Sequence, residues 1–353
     1  MDWRDTLGDR MIDDKVVQIH RLVLPEINQL MAMRYSLLST IASQGPIGRR
    51  YLAQTMDISE RYIRNEIEFL QKQHLIKVER QGVILTDRGK EIVVELKEML
   101  YRYNGLQNLE KELCEKLQLE KAMIIPGDSE SNHQVLQFMG AACSEYLKSI
   151  LHNGDVMAMS GGASSAAVSE QMKGGYFPEV FIIPARGGIG RSHSTQANNV
   201  VAEMAIKLQS QYDLLHLPDN IDKELLEALK NYPEIKRVFD KMTIIDVLVF
   251  GIGRADDLIE WRNLTEKEKQ RLVEQKAVGE AFGLFFDIAG EVVSPSGSIG
   301  ISLDDYKGIK HVIAISGGAS KAEAIISISR IRKNMVLVTD ESAANAILSN
   351  LNR

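Results

Sequence analysis

The pentapeptide Ser-Gly-Gly-Ala-Ser occurs twice in this 353-residue chain, at 160–164 and 316–320, each time between a short β-rich run and a helical stretch. Glycine lets the backbone turn with its amides facing inward, and the helix behind it aims the positive end of its dipole at the same spot. Strand, Gly-Gly loop and helix in that order form the unit of a parallel sheet, and ligands sit at the carboxyl ends of such strands. The runs Ala122 to Ile125, Val156 to Met159, Val180 to Ile183, Val247 to Phe250, Val312 to Ile315 and Val336 to Val338 alternate with helical stretches. The spacing predicts a Rossmann-like α/β domain over residues 119–353, with helices on both faces of a mostly parallel sheet.

Each Gly-Gly loop can cradle an anion such as a phosphate, and Lys321 adds a full charge to the second. Arg186-Gly187-Gly188 and Gly251-Ile252-Gly253 end two more strands in the same manner. Neither pentapeptide continues as Gly-x-x-x-x-Gly-Lys-Ser/Thr, and no Gly-x-Gly-x-x-Gly follows the first strand, which disfavours a triphosphate or a dinucleotide. A glycine turn between strand and helix is also a common packing device; two with one sequence tip the balance toward anion binding.

Residues 1–90 carry a different grammar, that of an α+β winged helix-turn-helix DNA-binding domain behind an N-terminal arm. After the turn Gln44-Gly45-Pro46 come a short helix over Arg50 to Met56, a tight turn at Asp57-Ile58-Ser59, and a second helix from Glu60 to Gln73 with Ser59 as its N-cap. Ile63, Ile67 and Leu70 form one stripe of that helix, leaving Arg61, Arg64, Asn65 and Glu68 on the opposite side. Arginine can bond guanine and asparagine adenine in bidentate fashion, so this face suits major-groove readout, with Tyr62 beside it. Ile76 to Arg80 and Val83 to Leu85 alternate around Gln81-Gly82, a hairpin wing with Arg80 near its tip. Arg49 and Arg50 suit phosphates. A charged outer face is more often only solvated, and helix pairs also bind proteins; the wing and the charge favour DNA. Residues 34–90 hold ten basic against six acidic side chains, whereas residues 106–353 hold 26 against 33.

Ahead of this module, Met1 to Asp14 reads as a loose arm or the start of a helix, and Val16 to Met33 as helical spacing broken by Pro25, with a short helix from Tyr35. Behind it, Ile92, Leu96, Met99, Tyr103 and Leu106 follow coiled-coil steps across an interruption at Asn104-Gly105, making 91–118 a helical linker that pairs with a second copy or packs on its own chain. Self-pairing would give a homodimer or homotetramer and a palindromic or repeated operator. Two cysteines fit neither a disulfide framework nor a paired zinc motif, and no leader or membrane-length apolar run is visible, so the expected setting is cytoplasmic, without a membrane partner. No metal-ligand spacing and no Gly-x-Ser-x-Gly elbow with a placed histidine occur, so metal and hydrolase chemistry are not expected; His193 reads as a solvated loop histidine.

Widely separated strings in one order, among them Gly-Pro-Ile-Gly-Arg-Arg (45–50), Glu280-Ala281-Phe282-Gly283, Ser320 to Ile325 and Val338-Thr339-Asp340-Glu341, closely resemble the SorC-type sugar-binding transcriptional regulators over nearly the whole chain. The resemblance implies a non-enzymatic repressor of a glycolytic operon, with an effector domain similar in fold to phosphosugar isomerases and no cofactor. It implies release by a sugar phosphate, fructose-1,6-bisphosphate above all, with a monophosphate or polyol phosphate as the alternative. By motif, Gly161, Gly162, Ala163, Ser164, Arg186, Gln196 and Lys321 would hold phosphates, Glu280 sugar hydroxyls, and Arg262 would assist. The family often has threonines after the Gly-Gly of the first loop; Ala163 here removes one hydroxyl and leaves Ser164. A phosphosugar isomerase or deaminase with a docking module, using Glu280 as general base, is the reading from another class.

Overall fold

The structure is a computed structural model that describes residue 19 and residues 23–187, 195–217, 223–261, 264–295 and 299–352. The polar arm, His193 and Arg262 lie outside these residues. The chain divides into two compact units, residues 1–107 and 108–353.

In the first unit one helix runs unbroken over Pro25–Gln44, in place of the two expected. Pro25 stands in its first turn, where a missing N–H leaves no intrahelical bond unmade, so it starts the helix. Helices Arg49–Thr55 and Glu60–Lys72 follow, and Ser59 Oγ accepts from the Tyr62 N–H at 3.3 Å, the cap read from the sequence. Strands β1 (Ile76–Glu79) and β2 (Gly82–Leu85) form the wing, antiparallel. Ile47 adds a short third lane, exchanging backbone bonds of 3.1 and 2.8 Å with Val83. Leu38, Leu52, Ile63, Leu70, Ile76 and Val83 fill the core. Helix Asp87–Tyr103 is capped by Thr86, and its Ile92 and Val93 pack on this core. The apolar series read as a pairing seam thus begins inside the unit, while Met99 stays exposed. Asn104-Gly105 separates this helix from the next, Leu106–Leu117.

The second unit holds a seven-stranded parallel sheet: β3 (Lys121–Ile125), β4 (Val156–Met159), β5 (Phe181–Pro184), β6 (Gln211–Tyr212), β7 (Val247–Gly251), β12 (His311–Ile315) and β13 (Val336–Asp340). Its spatial order is β3-β13-β12-β7-β4-β5-β6. After β4 the chain builds outward through β5 and β6, then returns to lay β7 against the other side of β4 and continues to β12 and β13. The β4–β7 junction is therefore the switch point where connections leave in opposite directions and a crevice opens. Central strands are buried on both faces, which is why they read as continuous apolar runs. On one face Met157, Met159, Val247 and Val249 pack with Met139 and Cys143 from helix His133–Ile150 and Met204 from helix Ala197–Leu208.

A second, antiparallel sheet departs from the sequence expectation. It consists of β8 (Gly253–Arg254), β9 (Gly279–Ala281), β10 (Leu284–Phe286) and β11 (Val292–Pro295), in order β11-β10-β9-β8. Strands of two to four residues show too little alternation to be read. Its first strand follows β7 almost directly, so this sheet extends from the switch point.

Candidate effector site and nucleic-acid face

The two Ser-Gly-Gly-Ala-Ser segments follow β4 and β12, the strands on either side of β7. Three consecutive strands therefore bring both loops and Gly251-Ile252-Gly253 to one edge of the sheet. The leading serine of each pentapeptide ties its loop to the middle one. Ser160 Oγ accepts from the Gly251 N–H at 3.1 Å and lies 3.0 Å from Ser165 Oγ; Ser316 Oγ donates to the Ile252 carbonyl at 3.3 Å. The second glycine of each has left-handed backbone, φ +105° at Gly162 and +96° at Gly318, a conformation a side chain rarely adopts. The identical sequences thus take matching turns.

Their surroundings differ. At the first loop Gly162 N–H donates to the Thr195 carbonyl at 2.8 Å, and a Cβ on Gly161 would stand 2.7 Å from that oxygen. This contact brings Gln196, the residue before helix Ala197–Leu208, beside the loop. Helix Ala163–Gln171 starts behind Gly162 with no side-chain cap, and Ser164 is buried against Gly251. Amides at an uncapped helix start favour an anion.

At the second loop the protein's own acids are already present. Asp340, at the end of β13 and fully buried, accepts from Gly318 N–H at 2.8 Å, from Ser129 N–H at 2.8 Å and Oγ at 2.5 Å, and from Ala343 N–H at 2.8 Å. Glu130 accepts from Ser320 Oγ and stands 3.5 Å from its backbone N. Lys321 lies among Glu130, Asp257, Asp340 and Arg254; burial pulls its ammonium below the ordinary lysine range, and the three carboxylates oppose that. The cradle expected here is thus occupied on its amide side.

Arg186 and Glu280 are brought together. Arg186 Nη1 donates to Glu280 Oε1 at 2.8 Å, and the same oxygen accepts from Gly283 N–H at 2.8 Å. Glu280 lies on β9 opposite Gly253 of β8, which joins it to the loop after β7. Phe282, with φ +55°, packs its ring 4.6 Å from Phe250 and 4.7 Å from Tyr306, fixing the turn that carries Glu280. Of the residues expected to hold ligand, Gly161 to Ser164 and Gln196 share one loop cluster, and Arg186 and Glu280 form a second, paired group. Lys321 stands at the loop after β12. Among the described residues no group of three His, Cys, Asp or Glu side chains could hold a metal ion.

In the first unit Arg49, Arg50, Arg61, Tyr62, Arg64, Asn65 and Arg80 are all exposed, while Ile63, Ile67 and Leu70 are buried. Glu60 lies between two of the arginines, 3.8 Å from Arg50 and 3.9 Å from Arg64. Glu66 on the buried side pairs with Arg34 at 2.8 Å, and the Arg34 guanidinium covers the Phe69 ring at 4.0 Å. Sequence reading missed that pair, whose signal is a charged residue on an otherwise apolar stripe.

Comparison with known proteins agrees with this division. The family model "CggR N-terminal DNA binding domain" matches residues 30–100, and "Putative sugar-binding domain" matches residues 101–349. The Central glycolytic genes regulator of Priestia megaterium is 37% identical over 96% of this chain and 99% of its own length. The chain belongs to the SorC family of sugar-binding transcriptional regulators. The Bacillus subtilis protein of the same name is 36% identical over 95% of this chain and 99% of its own. A solved structure from Enterococcus faecalis, described as a SorC family transcriptional regulator, is 34% identical, with TM-score 0.64, over 68% of this chain and 99% of that one. The full-length sorbitol operon regulator SorC of Klebsiella pneumoniae has the same fold, TM-score 0.64, over 91% of this chain and 98% of that one, at 19% identity. These members of the family are named as regulators, and the chain accordingly pairs a DNA-binding module with a sugar-binding domain. No described helix is long and apolar enough to cross a membrane.

Proposed function

We propose that this protein is a cytoplasmic repressor of central glycolytic genes, held on operator DNA by its N-terminal modules and released by a sugar phosphate, fructose-1,6-bisphosphate in the first instance. The names of the relatives at 37% and 36% identity support the gene class. The observation that carries the ligand class is the uncapped start of helix Ala163–Gln171 behind a left-handed Gly162 at the β4–β7 switch point. One phosphate group sits there, on the amides after Gly162 with Ser164 and Gln196 beside it. Glu280 recognises sugar hydroxyls, Arg186 beside it faces phosphate, and Lys321 serves a second phosphate. The exposed face of helix Glu60–Lys72 reads bases, while Arg49, Arg50 and Arg80 hold the backbone. Release requires the ligand to bind more tightly to the conformation with low operator affinity.

Thermal-shift titration with fructose-1,6-bisphosphate, fructose-6-phosphate, glucose-6-phosphate and inorganic phosphate tests the ligand, because a molecule selective for the native state raises its melting temperature. A clear rise with the bisphosphate is expected. A rise with another sugar phosphate alone would keep the regulator and remove the glycolytic assignment.

A further inference from the structure

We propose that Glu130 is an internal competitor for the second phosphate, a carboxylate that closes the loop after β12 until a doubly charged ligand displaces it. The inference rests on the sugar-phosphate reading only for the identity of the natural ligand.

The two Gly-Gly turns match in backbone and differ in what covers them. Neither turn has a side-chain cap, but the Gly162 N–H meets a neutral carbonyl, that of Thr195, whereas the Gly318 N–H meets the Asp340 carboxylate and Glu130 stands over Ser320 and Lys321. A carboxylate and a phosphate oxygen ask for the same donors, so Glu130 fills the position an anion would take. A Cβ on Gly318 would run into the Glu130 side chain, which shows how closely that side chain covers the turn.

The two acids are built differently. Asp340 is fully buried and accepts hydrogen bonds from the loops after β3 and β12 and from the start of its own helix, so it belongs to the scaffold. Glu130 is exposed, and its carboxylate is held by Ser320. Its backbone is anchored independently: Ser129 bonds Asp340, Ser342 Oγ donates to Asp128 at 3.0 Å, and Gly127 N–H donates to Glu341 at 3.2 Å. Side-chain rotation alone can therefore open the cradle, with the loop left in place. A dianion arriving at Lys321 faces Glu130 as a like charge, whereas a monophosphate seated at the first loop does not. Glu130 thus weakens any ligand whose phosphate claims Lys321 and leaves one held at the first loop alone unaffected.

Calorimetric titration of the full-length protein at low salt, as wild type, Glu130→Gln and Glu130→Ser, decides this with three probes: inorganic phosphate, fructose-6-phosphate and fructose-1,6-bisphosphate. Both variants should bind the bisphosphate about tenfold more tightly, with fructose-6-phosphate changed by no more than about twofold. Inorganic phosphate should show a second binding event absent from the wild type. Unchanged or weaker binding of both inorganic phosphate and the bisphosphate in the variants would overturn the proposal. If no protein binds either fructose phosphate, the sugar-phosphate reading fails, and the inorganic phosphate comparison still decides the role of Glu130.

Discussion

The Arg186 guanidinium meets the Glu280 carboxylate at 2.8 Å, with side chains only 10% and 9% exposed. Arg186 follows β5 and Glu280 lies on β9, so this contact joins the parallel sheet to the small antiparallel one. A buried charge left without its partner costs several kcal/mol, whereas loss of both charges costs far less. Arg186→Met should destabilise the protein by about 3 kcal/mol. Adding Glu280→Gln to that variant should recover most of the loss, because the introduced side-chain amide keeps a carbonyl acceptor for the Gly283 N–H and carries no charge. Urea unfolding of the two single variants and the double variant gives the coupling; additive losses would show that the pair is not coupled.

The leading serines of the two pentapeptides act on the backbone of the loop between them. Ser160→Ala strips the acceptor from the Gly251 N–H and the partner from Ser165. A buried donor without a partner costs about 1–3 kcal/mol. Loss of that size in urea unfolding, together with weaker ligand binding, is the expected result; Ser160→Thr should retain the hydroxyl and more of the stability.

On the DNA face, Arg64→Ala should weaken specific operator binding by about 1–3 kcal/mol if the side chain reads a base. Competition with random DNA separates the roles, since equal losses on both would make Arg64 a phosphate contact. Glu60→Gln frees Arg50 and Arg64 from a carboxylate 3.8 and 3.9 Å away, so non-specific binding should tighten and its salt dependence steepen.

Burial pushes the Cys143 thiol up to about 12 from 9.0. The folded protein therefore keeps a proton that the unfolded chain loses near pH 9, and stability declines as pH rises from there toward 12, by up to about 1.4 kcal/mol per pH unit. Well below pH 9, where both states keep the proton, this site contributes no slope. A thiol reagent at about pH 8, on the acid side of the free-thiol range, should modify Cys143 no faster than the protein unfolds; rapid modification in the native state would contradict its burial.

Much of this architecture was legible because parallel strands buried on both faces write themselves as short apolar runs. Six such runs match β3, β4, β5, β7, β12 and β13 to within two residues at each end. The helix-turn-helix was readable from Ser59 and the Ile63–Ile67–Leu70 stripe, both local signals. Long-range partners were not readable. Two identical pentapeptides suggest identical roles, yet the second is answered by Asp340 from β13 and Glu130 from the loop after β3, far away in the chain. Asp128-Ser129-Glu130 carries no local sign of such a role; only the sheet order, which sets β13 between β3 and β12, brings it to that loop. Arg186 and Glu280, 94 residues apart, were named separately; their pairing depends on the small sheet, whose strands are too short to announce themselves.

The central claim is that one chain couples a DNA-reading module to a sugar-phosphate site. Fluorescence anisotropy on an operator selected from random sequence by the protein itself, titrated with fructose-1,6-bisphosphate, tests it most directly. Loss of specific binding as the bisphosphate saturates, with no effect of unphosphorylated fructose, is the predicted result. Operator affinity unchanged at every concentration of every sugar phosphate, or conversion of one sugar phosphate into another by the protein, would contradict it.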